Sequence, residues 1–311
     1  ARFAAENRDS LPKPFRRWQT GAVWRNEKPG PGRFRQFVQC DADTIGSDNP
    51  ASDGEIIAMA GEALEAIGVQ RDGYVFKINS RRILNGVLLG VGLAPDSKAR
   101  LTVMRAIDKL DRVGVEGVGA LLGKGRRDES GDFTAGAELD PANVQKVIDF
   151  VTLPTQSRSA VLEGLGRLVG DNDEGRAGLA ELAGIDAVLS ALGISDDRAR
   201  IDPSVVRGLE YYTGAVYEAE LTATVVDDGR LVRFGSVGGG GRYDDLIARF
   251  TGERMPATGF SIGVSRLIAA QKALGIGGDS ALAPLAVVLV MDRDRMGDYF
   301  AIASELREAG A

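Results

Sequence analysis

The spacing of apolar side chains changes several times along these 311 residues, and each change marks a block. Phe34 to Ile45 reads as a strand: successive side chains of an extended segment point to opposite faces, so Gln39, Asp41 and Asp43 share one of them. Ser52 to Ile67 is helical, with Ile56, Ile57, Met59, Ala60, Leu64 and Ile67 at near-helical spacing. Tyr74, Phe76 and Ile78 alternate with Val75, Lys77 and Asn79, the pattern of a half-buried strand.

From about 94 to 200 the period is almost wholly helical, through Val103, Ile107 and Leu110, then Val161, Leu165 and Leu168, then Leu182, Ile185, Leu189 and Leu192. Asp140-Pro141 supplies a helix start, Asp as cap and Pro at the first helical position. Gly123 to Gly136 reads as a polar, glycine-containing linker. This block has the character of a helical insertion between two halves of a mixed domain.

Strand patterns return at Leu209 to Leu221 and Leu231 to Ser236, and the polar turn Asp227-Asp228-Gly229 between them predicts a hairpin. Gly238 to Gly241 follows, then a helix near Tyr243 to Arg249, a buried strand from Thr258 to Ile262 and a helix through Leu267 to Leu274. A buried strand, Leu285 to Met291, and a helix, Arg295 to Ala309, close the chain as a βα unit without a parallel neighbour. That unpartnered unit, and an opening without Met, lead us to expect a natural chain that extends beyond both ends. The blocks are 1–93, 94–200, 201–280 and 281–311, and none repeats another.

Composition narrows the chemistry. Hydrophobic content of 44% with 26% charged residues is that of a soluble globular protein. The net charge of −6 argues against a protein that coats nucleic acid nonspecifically, although local patches matter more than the sum. Residues 1 to 36 are such a patch, locally basic, with only Glu6, Asp9 and Glu27 as acids. Cys40 is the sole cysteine, which excludes an intrachain disulfide and fits a reducing, cytoplasmic compartment. No apolar run approaches the ~18 residues that span a bilayer, and no signal-peptide pattern is present. Histidine is absent altogether. A Ser-His or Cys-His pair, an imidazole base and a zinc site of the usual kind are therefore excluded, leaving Arg, Lys, carboxylates, Tyr, backbone groups or a metal held by oxygen.

Three islands carry candidate chemistry. In the first, Arg25, Glu27, Lys28, Arg33 and Arg35 surround Pro29-Gly30-Pro31-Gly32, which cannot be helix interior. One reading is a solvated basic turn. The other is an anion site, since Phe34 and Phe37 offer stacking surfaces while guanidinium forks grip phosphate oxygens. The second is Arg207-Gly-Leu-Glu-Tyr-Tyr-Thr-Gly214, whose adjacent Tyr211 and Tyr212, taken as strand residues, point to opposite faces. Alone it is also compatible with an ordinary sheet bearing tyrosine hydroxyls at its rim. The third joins Gly238-Gly-Gly-Gly-Arg-Tyr-Asp-Asp-Leu246 to Thr258-Gly-Phe-Ser-Ile-Gly-Val-Ser-Arg-Leu267. It lacks the Gly-Lys-Ser/Thr of a P-loop and any dinucleotide fingerprint, and glycine in a strand marks close approach to the backbone.

Taken in order, these islands closely resemble the histidyl-tRNA synthetases over nearly the whole chain, the Arg207 to Gly214 segment most specifically. The first and third resemble motifs 2 and 3 of the class II synthetases. The resemblance implies an α+β fold: a class II synthetase-like antiparallel sheet flanked by helices, a helical insertion domain that approaches the tRNA, and, from 281, the start of a C-terminal α/β anticodon-binding domain. It also implies ATP with Mg2+, formation of histidyl-adenylate, transfer to the tRNA for histidine, and a homodimer; the magnesium ligands stay open.

By position, Arg25 resembles the motif 2 arginine on the α-phosphate and Glu27 the acid near the adenine amino group. Phe37 is similar to the ring under adenine, and Arg33 with Arg35 to the γ-phosphate side. Arg266 resembles the motif 3 arginine, while Gln39, Asp43, Tyr211 and Tyr212 resemble the histidine pocket and Arg207 the family's own catalytic arginine. The pattern departs from the family at Glu210, Ser265 and Asp43, where Asp, Glu and often Glu are usual.

The physical reading agrees with that resemblance, because a carboxylate nucleophile is already ionised and needs no general base. The alternative within the same fold, a histidine-sensing regulatory paralogue of an ATP phosphoribosyltransferase, would be expected to lose the arginines that stand here at 25, 207 and 266. A synthetase for another amino acid leaves 207–214 unexplained, and a plain nucleic-acid-binding module leaves the tyrosine pair unexplained.

Overall fold

The computed structural model describes residues 1–26, 30, 34–128, 131–169, 171–206, 208, 211–227, 230–233, 235–275 and 286–309. Residues Ala1–Leu274 form one compact unit and Gly275–Ala311 another.

In chain order the first unit begins with α1 (Arg2–Glu6), β1 (Phe15–Trp24), β2 (Gln36–Ile45), α2 (Pro50–Ala66), β3 (Tyr74–Ser80) and α3 (Arg81–Gly90). The helical block follows as α4 (Lys98–Ile107), α5 (Leu110–Leu122), β4 (Gly125–Arg127), β5 (Phe133–Ala135), α6 (Pro141–Val151), α7 (Arg158–Val169) and α8 (Asp173–Ala191). Then come β6 (Ala199–Ile201), β7 (Ala215–Leu221), β8 (Thr224–Asp227), β9 (Arg230–Arg233), β10 (Ser236–Arg242), α9 (Ala248–Thr251), β11 (Ala257–Gly263) and α10 (Val264–Ala273).

Local chemistry accounts for the helix starts. Asn49 accepts from the Ala51 amide ahead of Pro50, Asp140 from the Asn143 amide ahead of Pro141, and Asn172 from the Gly175 amide. Each satisfies a donor that the first turn leaves orphaned.

Seven strands make the main sheet in the order β1-β2-β11-β10-β7-β3-β6, antiparallel except for the β3/β6 pair. Its two faces differ because side chains alternate. Phe260, Tyr217, Ala219, Phe76 and Ile78 point to the helix-covered face and join Ile56, Ile57, Leu64, Leu165, Leu182 and Ile185 in one core. The α4–α8 block shares that core and the same compact unit with the sheet. The opposite face carries Gln39, Asp41, Asp43, Ser261, Glu218 and Lys77. Among the described residues no helix is long and apolar enough to cross a membrane.

Several elements differ from the pattern reading, each for a tertiary reason. β3 is buried on both faces rather than one, because it lies inside the sheet and Asn79 on its polar face donates to the Pro203 and Val205 carbonyls. The 123–136 segment is no plain linker: β4 and β5 pair across it. The predicted 209–221/231–236 hairpin shrinks to β8 with β9, while β7 pairs with β10, so Gly238 to Gly241 are strand residues. Helix near 243–249 begins only at Ala248 as one turn, since the Tyr243 amide is taken by the Ala257 carbonyl. In the second unit, described residues 286–291 form no strand; Met291 is 84% exposed. Among the described residues of this unit no strand is present to pair with it, and a lone strand leaves its backbone groups unpaired. The helix expected after it is present as α11 (Met296–Glu308).

Candidate active site

Strand alternation builds the site. On β2, Asp43 faces Arg17 of β1 and Gly259 of β11, Asp41 faces Gln19 and Ser261, and Gln39 faces Gly21 and Gly263. Gln39, Asp41 and Asp43 therefore stand in a row on one face, roughly 7 Å apart at each step. Ser261 donates to Asp41 at 2.5 Å, and Gln19 reaches its other oxygen at 3.4 Å.

Glycines make the room around Asp43. A Cβ on Gly259 would collide with Asp43 Oδ1 and meet the Ala42 carbonyl at 2.8 Å. Gly259 is opposite Gly241, and there a Cβ would lie 2.9 Å from the ring of Tyr212. The glycine run thus accommodates a carboxylate and a tyrosine ring on one side, and the rings of Phe260 and Tyr217 on the other.

Tyr212 and Tyr211 precede β7 instead of lying in it, so they do not point to opposite faces of a strand. Their ring centroids are 4.4 Å apart at 51°, Tyr211 exposed and Tyr212 packed against the small cluster to which Tyr243, Ile45 and Ala257 belong. Gly208, at φ +63°, turns the chain under the Tyr212 ring in a conformation that other residues rarely adopt.

Tyr243 is the residue that the sequence reading passed over. Its hydroxyl donates to Asp43 Oδ1 at 2.6 Å, tying the strand carboxylate to the segment after β10. The only signal was its position in Gly-Gly-Arg-Tyr-Asp, two residues past a glycine that faces Asp43's neighbour. Burial pushes the Asp43 carboxyl up, against the hydrogen bond from Tyr243 and the charge of Arg17, while Asp41 adds to the rise. Burial and the Asp43 charge push the Tyr243 phenol up as well, so it stays a donor.

The other end of β2 has a different character. The Arg25 amide donates to the Arg35 carbonyl at 2.9 Å, closing the strands as the chain enters the basic loop. The Arg25 guanidinium lies over the Phe37 ring, 5.1 Å from its centroid, in cation–π contact. Arg35 is exposed. Arg266 sits in the first turn of α10, directly after the strand that pairs with β2; an added Cβ on Gly235 would be 3.9 Å from its guanidinium. Ser265 accepts from the Val38 amide at 2.9 Å and fixes that helix start to β2. The structure thus brings Arg25 to Phe37, and Gln39, Asp43 and Tyr212 to one face. Glu27, Arg33 and Arg207 lie outside the described residues.

A mostly antiparallel sheet whose polar face meets the segment after β1 and a strand-to-helix arginine at one end, and a carboxylate with its tyrosines at the other, defines a class II aminoacyl-tRNA synthetase core. A family model for histidyl-tRNA synthetase matches residues 1–267. The histidine–tRNA ligase of Caulobacter vibrioides is 59% identical over 312 residues, covering 100% of this chain and 63% of that protein. That of a Jannaschia species is 56% identical, covering 97% of this chain and 60% of its own length. The crystal structure of histidyl-tRNA synthetase from Nostoc sp. PCC 7120 is similar with a TM-score of 0.74 and 31% identity, over 99% of this chain and 66% of that one. The chain belongs to the histidyl-tRNA synthetase family, and it spans less than two thirds of the length of the two ligases it matches.

Proposed function

We propose that this chain carries the activating site of a histidine–tRNA ligase, which joins histidine to ATP and then transfers it to the 3′ end of its tRNA. The observation that carries the reading is that one polar strand face connects Arg25 over Phe37 with Asp43, which takes the Tyr243 hydroxyl and faces Gly259, the partner of the Gly241 on which the Tyr212 ring lies. Phe37 and Asp43 are six positions apart, roughly 20 Å along a strand, which accommodates an amino acid and a nucleotide end to end.

In this reading ATP and histidine are substrates. Phe37 stacks under adenine, Glu27 meets its amino group, and Arg33, Arg35 and Arg266 hold the γ-phosphate side. Gln39, Asp43, Tyr211 and Tyr212 hold histidine, with Tyr243 fixing the Asp43 carboxylate. The histidine carboxylate attacks the α-phosphorus; the new C–O–P linkage forms as the α–β bond breaks and pyrophosphate leaves. Charge developing at the α-phosphate falls to Arg25 and Arg207, and one such preorganised donor is typically worth ~3 kcal/mol. The tRNA hydroxyl then attacks the activated carbonyl and AMP departs.

Among the described residues there is no group of three or more acidic or cysteine side chains able to hold a metal. Magnesium entering with ATP would neutralise charge on the triphosphate when bound. Residues 94–200 serve as the insertion that approaches the tRNA, and 281–311 begin an anticodon-binding domain. The whole protein works as a cytoplasmic homodimer.

The test is exchange of labelled pyrophosphate into ATP by the intact gene product, with each amino acid in turn. Exchange with histidine alone is expected. Histidine binding without exchange would move the assignment to histidine sensing, and exchange with a different amino acid would overturn the pocket.

A further inference from the structure

Below the sheet, away from the polar face, lies a buried charge cluster that adenylate chemistry does not use. Arg242 donates to Asp53 through Nε at 3.1 Å and pairs with Asp244 at 3.4 Å; Glu181 Oε1 lies 3.9 Å from its Nε. All four residues are buried. One guanidinium thus faces three carboxyl groups; of these, Arg254 pairs from the surface with Asp244, at 2.6 Å, and it also pairs with Asp245 at 3.5 Å. Glu181 has the smallest share of that charge, and its second oxygen takes the Ser80 hydroxyl at 2.6 Å.

Glu181 belongs to α8, in the helical block, yet it abuts the segment that carries the tyrosine pair. A Cβ on Gly214 would run into Glu181 Oε1 and lie 3.1 Å from Arg242 Cδ. The same stretch is held by the Arg81 amide on the Gly214 carbonyl at 2.8 Å, and by the Thr213 amide on the Arg242 carbonyl at 2.8 Å. One residue upstream, the Tyr212 ring lies on Gly241.

We propose that Glu181 is a positioning residue for the Tyr211–Gly214 segment: its carboxyl group, clamped between Ser80, Arg242 and Gly214, fixes where the Tyr212 ring lies against the histidine pocket. The inference rests on the histidine-activating reading above. Glu181 touches no reactant in that reading. It acts through backbone at the amino-acid end of the site, about 20 Å by strand length from Phe37 at the nucleotide end. Its removal therefore separates the two substrates. Small displacements of positioning groups cost rate or affinity steeply, so Glu181→Ala raises the KM for histidine about tenfold or more while the KM for ATP stays within about twofold. Glu181→Gln, which keeps the shape and a hydrogen-bonding oxygen for Ser80, restores the histidine KM. Gly214→Ala, which drives a methyl against the same oxygen, reproduces the split.

The measurement is histidine- and ATP-dependent pyrophosphate exchange by the intact gene product and these three variants, with thermal unfolding and calorimetric histidine binding on each. A histidine-selective rise rescued by Gln supports the inference. Equal changes in both KM values, or a lowered melting temperature with both KM values unchanged, overturn it. Loss of exchange and of histidine binding in the unsubstituted protein would instead remove the activating reading, a result these variants do not produce.

Discussion

Glu181 offers a test with a definite sign and size. Burial is the main cause that pushes its carboxyl from 4.5 up to about 7; the nearby Asp53 charge adds to the rise, and Ser80, Arg82 and Arg242 oppose it. Below the unfolded value the group is protonated in both states and contributes nothing. Between 4.5 and about 7 the unfolded chain gives up a proton that the folded chain keeps, so stability falls as pH rises, and the penalty is complete above that window. A shift of that size corresponds to about 3 kcal/mol at about 1.4 kcal/mol per pKa unit. Glu181→Gln removes the titration and keeps the volume. Urea unfolding of the intact gene product and the variant, followed by circular dichroism across that window, should show the variant gaining about 3 kcal/mol on the parent as pH rises. Parallel stability curves would refute the reasoning and mean that Arg242 holds Glu181 ionised throughout.

Three further outcomes follow from the site. Arg207→Ala should lower adenylate formation about a hundredfold or more while nucleotide binding stays mostly intact, measured by single-turnover adenylate assay against ATP affinity; unchanged turnover would defeat the assignment. Asp43→Ala should weaken histidine binding by about 2 kcal/mol, the scale of a hydrogen bond to a charged group, with ATP affinity retained in calorimetry; equal loss of both would mean a damaged fold. Gly259→Ala adds a methyl where Asp43 Oδ1 lies and should cost about 1–3 kcal/mol of stability together with histidine affinity, whereas the same change at Gly252, where an added Cβ meets nothing within 4 Å, should spare histidine affinity.

What the sequence determined by itself is mostly local or periodic. The β2 strand with its polar row, the α2, α6 and α8 helices and the β11–α10 junction follow from alternation, helical spacing and capping, which act within a few residues. Gln39 and Asp43 were legible as one face for the same reason, and the absence of histidine excluded whole classes of chemistry before any fold was known. The tertiary structure decided what depends on partners distant in sequence. A glycine run reads equally as loop or strand until β7 and β11 lie on either side of β10. A pair of tyrosines reads as strand until Gly208 turns the chain and Gly241 receives a ring. The hydrogen bond from Tyr243 to Asp43 spans 200 residues, and Glu181 meets Gly214 only because α8 and the sheet share one core. Period and composition specify which side chains share a face, but which distant groups meet there is set by the packing that buries the opposite one.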